Sequence, residues 1–230
     1  MAKFLAKSAG RMKFVRTLFL LSFTLLVSAC VSAPAIKPLP DDTSRSLNQA
    51  HLKQIATIQQ FSLQGRIGVQ TNGKGFSGSL HWQHSVPNDN IALYSPLGSQ
   101  VASIKKTAEQ ITLEDANGKS TSANDAETLT QTALGWRLPL TGLADWSLGR
   151  PANSPIQNST WDAQGLLTTL NQDGWNIEYQ NYSEQHGYLL PGKIILKSDK
   201  VNLKLLVETW VNIDPVNVSP GTGPRVNKDQ

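Results

Sequence analysis

From Phe61 onward the chain alternates. Phe61, Leu63, Ile67 and Val69 are apolar, and Ser62, Gln64, Arg66 and Gln70 between them are polar. Successive side chains of a strand point to opposite faces, so a period of two makes a strand with one face to bury. The stretch 71–75 (TNGKG) then supplies an Asn-Gly hairpin turn. Phe76, Gly78, Leu80 and Trp82 form the apolar set of a second strand. Further strands are expected at 91–94, 100–106, 110–114, 119–122, 165–171, 175–182, 193–197 and 201–213, with a second Asn-Gly turn at 117–118. In the last of these, Val201, Leu203, Leu205, Val207, Val211 and Ile213 share one parity. About ten short strands in meander order make one antiparallel sheet, and a sheet of that width curls. With helices on one face it can enclose an apolar cavity.

The helices are expected elsewhere. Residues 44–59 carry apolar positions 47, 52, 55 and 58 after Ser44 and Ser46, either of which can cap a helix. Asn124 with Glu127 three residues on reads as a capping box, for a helix that stops at Gly135. Pro139 and Gly149 bracket a second short helix carrying Leu140, Leu143, Trp146 and Leu148. Both fall between the sixth and seventh strands.

The chain has 21 basic and 17 acidic residues, and the excess is local. Lys3, Lys7, Arg11, Lys13 and Arg16 precede the apolar run 17–27, which Ser28, Ala29 and Cys30 follow. A helix over that run is only about 16 Å long, too short to span a bilayer. A basic head, a short apolar centre and small residues make a secretory signal peptide, residues 1–29, with Met12 as an alternative start. The remainder holds 16 basic against 17 acidic residues, a charge of −1, with no basic stripe for nucleic acid. The single cysteine excludes an internal disulfide and stands at the cleavage point. Val27-Ser28-Ala29-Cys30 is similar to a bacterial lipobox, which implies lipidation of Cys30; Val31 after it resembles an outer-membrane address. Residues 30–43, rich in proline and small residues, read as a flexible tether, and 214–230 as a disordered tail.

Catalytic chemistry is not legible. Gly73-Lys74-Gly75-Phe76-Ser77-Gly78 matches G-x-G-x-x-G, but within a hairpin and without a following helix. Neither a phosphate-binding loop nor a G-x-S-x-G is present. His51, His81, His84 and His186 are scattered and read as surface or turn residues; His81 and His84 fall on opposite faces of a strand. The adjacent carboxylates Asp41-Asp42 and Glu114-Asp115 make no catalytic pair. The Asn158, Asn181 and Asn217 sequons carry no weight in a bacterial lipoprotein. No metal, cofactor or enzyme activity is expected.

One segment stands out. Ser95-Pro96-Leu97-Gly98 has the residues of a type I turn, with Leu97 at its tip. Such a leucine either folds back onto the sheet edge or is offered to a membrane or an apolar partner.

With these residues in place, the chain resembles the LolB family of outer-membrane lipoprotein receptors. The matching pieces are Phe61-Ser62-Leu63-Gln64-Gly65-Arg66, Leu80-His81-Trp82-Gln83, Ser95-Pro96-Leu97-Gly98-Ser99, Asp145-Trp146-Ser147-Leu148-Gly149, Gly174-Trp175, Leu190-Pro191 and Leu203-Lys204-Leu205 through Trp210. None is diagnostic alone; their order behind a lipobox is specific. The resemblance implies an incomplete, open antiparallel β-barrel of about ten to eleven strands with a helical lid over an apolar cavity. It implies a monomer whose domain, 44–213, accepts acylated client lipoproteins from a LolA-type periplasmic carrier. It then inserts them into the inner leaflet of the outer membrane, to which Cys30 anchors it. Pro96, Leu97 and Gly98 would form the membrane-insertion loop. Phe61, Leu63, Ile67, Val69, Leu80, Trp82, Leu203, Leu205 and Val207 would line the cavity, with Trp146 and Leu148 on the lid; cavity wall and packed core read alike in a sequence. The other reading of the same features is a lipocalin-like lipoprotein that binds a small hydrophobic ligand.

Overall fold

A computed structural model describes residues 42–215. The expected signal peptide, Cys30, the tether up to residue 41 and the tail beyond residue 215 lie outside the described residues. Helix α1 (Asp42–Ile55) comes first, then six strands: β1 (Ile58–Thr71), β2 (Gly75–Ser85), β3 (Asn88–Tyr94), β4 (Gln100–Lys106), β5 (Ile111–Asp115) and β6 (Ser120–Ala123). Helices α2 (Ala126–Leu134) and α3 (Leu140–Ser147) come next. Five strands complete the chain: β7 (Ile156–Trp161), β8 (Leu167–Gln172), β9 (Trp175–Gln185), β10 (Tyr188–Lys197) and β11 (Val201–Pro215).

All eleven strands form one antiparallel sheet in the order β6-β5-β4-β3-β2-β1-β11-β10-β9-β8-β7. The long pairing of β1 with β11 joins its two halves, and β6 and β7 are left as open edges. The expected fold class is therefore the observed one: mainly β, among the described residues a single open antiparallel sheet of eleven strands with three helices. Residues of β1, β2, β3, β4, β5, β8, β9, β10 and β11 meet α2 and α3 in one apolar core.

β1 keeps the face assigned to it: Phe61, Leu63, Ile67 and Val69 are all buried. β11 does not keep a single parity. Its register against β1 slips between Gly65/Val207 and Gln64/Thr209, and again between Leu63/Trp210 and Ser62/Asn212. Each slip inserts one extra residue, Glu208 and then Val211, and a bulge re-aims the side chains beyond it. Trp210 therefore turns inward and is buried, Ile213 turns inward again, and Val211 is exposed. Val207, just before the first bulge, is only partly buried.

Other expectations are corrected. α1 begins at Asp42 and ends at Ile55, and its buried face is Ser44, Asn48, His51 and Ile55, with Leu47 exposed. The helix covers strand ends whose carbonyls need donors. Asn48 Nδ2 donates to the Gly165 carbonyl at 2.8 Å, His51 Nε2 to that of Leu189 at 2.9 Å and Gln54 Nε2 to that of Gly187 at 3.0 Å. His51 is thus a buried cap and not a surface residue. The cap of α2 is Asp125, not Asn124: its carboxylate accepts from the amides of Glu127 and Thr128. The helix does stop at Gly135, whose φ of 85° only glycine adopts without strain. Strand β7 was not anticipated; it is an edge strand, exposed over Ile156–Asn158, and has no alternation to read.

Candidate functional site

The register places five turns at one end of the sheet. Thr71 pairs with Val201, Tyr94 with Ser79 and Gln100, Asp115 with Ala102, and Gln172 with Trp175. The β1–β2, β3–β4, β5–β6, β8–β9 and β10–β11 turns therefore share an end, called here the tip end. α1 packs over the opposite end.

At the tip end, the β3–β4 connection is a closed turn. Gly98 N donates to the Ser95 carbonyl at 2.9 Å, Ser95 N donates to the Ser99 carbonyl at 2.8 Å, and Ser99 N reaches Ser95 Oγ at 3.3 Å. Gly98 takes a φ of 85°, which lets the chain turn back at once. Pro96, Leu97 and Gly98 are all exposed, and Leu97 is 94% exposed. Among the described residues no other large apolar side chain is exposed beyond Val86, at 59%. Leu97 does not fold back onto the sheet.

The lid lies over the concave face. Leu129, Trp136, Leu138, Leu140, Leu143, Trp146 and Leu148 are buried against the sheet residues. The expected cavity residues Phe61, Leu63, Ile67, Val69, Leu80, Trp82, Leu203 and Leu205 are buried in one apolar cluster together with Trp146 and Leu148. Beside the lid a recess of about 380 Å³ opens, lined by Phe76, Leu93 and Val101 of the sheet, by Ala133, Leu134 and Trp136, and by Lys74 and Gly75. Leu93 and Val101 flank the Leu97 turn in sequence, so the recess is at the tip end.

Buried polar bonds hold the lid. Gln172 is fully buried, and its Oε1 accepts from Trp146 Nε1 at 2.8 Å and from Ala152 N at 2.9 Å. Its Nε2 donates to the carbonyls of Ala152 at 2.9 Å and Ser154 at 2.8 Å. Arg150 donates to Asp145 Oδ1 at 2.7 Å and to the Ile55 carbonyl, tying α3 to the end of α1. Tyr182 donates to the Leu167 carbonyl at 3.0 Å, and burial raises its phenol pKa.

A second buried cluster lies at the other end of the sheet. Asp89 accepts from Trp82 Nε1 at 2.9 Å, His84 Nδ1 at 2.7 Å and Lys106 Nζ at 3.1 Å. Burial alone would raise its pKa; the bonds and charges of His84, with Trp82 and Lys106, outweigh burial and hold the carboxyl below its ordinary value. Phe61 packs edge-on against Trp82 and Trp210, at 5.0 and 5.3 Å between centroids. His84 is therefore half-buried at the edge of the core, its side chain largely covered, whereas His81 is exposed on the other face. Neither cluster presents a nucleophile with a base beside it. Sequence reasoning missed Gln172 and Asp89; Gln172 meets Trp146 from 26 residues away, and Asp89 meets Trp82 and His84 only once β2 and β3 pair, so the local hint was a polar residue at an inward position.

The family model described as "LolB: Outer membrane lipoprotein LolB" matches residues 59–210. The outer-membrane lipoprotein LolB of Pseudomonas fluorescens is 31% identical over 198 residues, covering 86% of this chain and 97% of the relative. That of Nitrosococcus oceani is 31% identical over 200 residues, covering 86% and 98%. Among solved structures, a LolA superfamily protein from Nitrosomonas europaea superposes with a TM-score of 0.46 at 10% identity, covering 74% of this chain and 93% of that one.

Proposed function

The chain belongs to the family of the outer-membrane lipoprotein LolB, a non-enzymatic lipoprotein receptor of the Lol sorting pathway, and from that premise we propose how its domain performs the transfer. The concave face under α2 and α3 takes the acyl chains of a client lipoprotein delivered by a LolA-type periplasmic carrier. The Leu97 turn then places the tip end on the inner leaflet of the outer membrane, where the client leaves. Residues 1–29 direct export, Cys30 carries the lipid anchor, the tether ends where α1 begins at Asp42, the acyl-chain-binding domain runs from there through β11, and the tail follows Pro215.

The physics requires no energy-coupled step. Acyl chains in water are costly, so they must pass from one apolar site to another. Transfer runs downhill if each site in turn holds them better. The walls offered to the chains are Phe61, Leu63, Ile67, Val69, Leu80, Trp82, Leu203, Leu205 and Val207, and the lid side chains Trp146 and Leu148 lift to admit them.

One observation carries the reading: the most exposed large apolar side chain of the described residues, Leu97, sits on the turn between Leu93 and Val101, two residues that line the recess beside the lid. A leucine moved fully into lipid contributes roughly 1.5–3 kcal/mol, which suits a transient contact. The test is Leu97→Glu in a vesicle transfer assay with a labelled client. Acceptance from the carrier is expected to stay normal and release into vesicles to fail; normal insertion by the variant would refute the role given to Leu97.

A further inference from the structure

We propose that Lys74 and Lys119 form a pair of headgroup contacts, one on each side of Leu97, which dock the tip end on a leaflet containing anionic phospholipid. The inference rests on the membrane role proposed for Leu97 and adds the chemistry of the surface that it meets.

The strand order carries the argument. In β6-β5-β4-β3-β2-β1, the Leu97 turn joins β3 and β4, so its neighbours at the tip end are the β1–β2 and β5–β6 turns. Each of those turns carries one lysine, Lys74 and Lys119, and both are exposed. Neighbouring strands lie about 4.8 Å apart, so adjacent hairpin turns are spaced by about 10 Å. An apolar tip is thus flanked by two cations at a spacing comparable to that of lipid headgroups.

The charges are free to act outward. Among the described residues neither lysine makes an ion pair. Asp115 is the one acidic residue on these three turns. Its Oδ1 is held inside its own turn by the amides of Asn117 at 2.9 Å and Lys119 at 3.0 Å. On the next turn, Asp199 and Lys200 offset each other. Lys74 lines the apolar recess and lies, stem and ammonium, against Gly135 at the edge of the lid, and because the residue is exposed its ammonium can swing from there to a headgroup while the stem stays on apolar surface. An anionic phosphate drawn to Lys74 therefore meets the protein beside the exit. Shallow apolar insertion and electrostatic attraction add to each other at an interface, and neither suffices alone for firm docking. The attraction falls off over about 8 Å at physiological salt, so it acts only once the turns are at the surface.

The experiment uses the mature acylated protein, in which acylation blocks the Cys30 thiol. Ser99→Cys then supplies one thiol for an environment-sensitive dye next to Leu97. The protein is reconstituted in vesicles of phosphatidylcholine, with or without phosphatidylglycerol, and dye immersion is read by quenching with nitroxide lipid. The immersed-to-free ratio is expected to rise with phosphatidylglycerol and to fall back in high salt. Lys74→Gln and Lys119→Gln are each expected to lower it about fivefold in the anionic vesicles and not in the neutral ones. Equal immersion in both vesicle types, or a loss confined to Lys74→Gln with no salt dependence, would overturn the pair. No immersion in either would overturn the Leu97 reading itself, a distinct result.

Discussion

Replacing Gln172 by leucine removes four hydrogen bonds and changes side-chain volume little. Gln172 uses every donor and acceptor that its carboxamide has, between Trp146 Nε1, Ala152 N, Ala152 O and Ser154 O. The four partners do not suffer equally. Ala152 and Ser154 are half-buried and can turn to water, at a net loss of about 0.5–1.5 kcal/mol per bond. Trp146 is 1% exposed, so its indole N–H is left without a partner, which costs about 1–3 kcal/mol. Greater apolarity of leucine offsets part of this, and the net destabilisation should be about 3 kcal/mol. Urea unfolding, followed by tryptophan fluorescence, measures it. A double-mutant cycle isolates the key bond: Trp146→Phe removes the same N–H, so in the Gln172→Leu background it should cost about 1–2 kcal/mol less than in the wild type. Amide exchange across α3 and 150–154 should quicken in parallel. Additivity within about 0.3 kcal/mol would refute the reasoning, because it would mean that the Trp146–Gln172 bond does not fix the lid.

Two more outcomes are expected from the sheet. Asp89→Asn breaks a buried cluster and should cost about 3–5 kcal/mol at neutral pH by urea unfolding. Because the folded carboxyl lies below the ordinary value of 3.8, its stabilisation is complete above that value and is lost as pH falls through the lower folded pKa. The gap between wild type and variant should therefore close in acid; a constant gap from neutral pH to strong acid would contradict it. Gly65→Ala should cost about 1–3 kcal/mol, because a Cβ there would run into the Leu206 carbonyl and force β1 from β11. An unchanged unfolding midpoint would show that the two strands do not approach so closely.

How far the sequence could be read depended on whether the deciding interaction was local. The inward face of β1 was legible because Phe61 to Val69 alternate without interruption. The Leu97 turn was legible because Ser95, Pro96 and Gly98 each have a local reason for their position. β11 misled because Glu208 and Val211 are bulged, and a bulge arises from pairing with β1 and not from the strand's own residues. α1 misled because its buried stripe is Ser44, Asn48 and His51, of which Asn48 and His51 serve carbonyls more than 100 residues away. Gln172 was invisible for the same reason, since it meets Trp146 from 26 residues away, whereas Asp89 meets His84 and Trp82 from five and seven residues away and depends on how β2 pairs with β3.

The contrast between sheet and lid bears on how such a domain can open. The eleven strands hold one another by backbone ladders, which give nothing back when broken. α2 and α3 meet the concave face chiefly through apolar side chains, an attraction without direction. Acyl chains entering beneath the lid would cover the same wall residues, so the apolar surface lost by lifting the helices is largely restored by the ligand. The polar set at Gln172 and Arg150 is not restored by the ligand. The cost of opening is therefore concentrated in those few bonds, and on the proposed function they set how readily the receptor loads. Loosening them by Gln172→Leu should speed client acceptance even as it lowers stability, an outcome that a merely structural role for Gln172 does not produce.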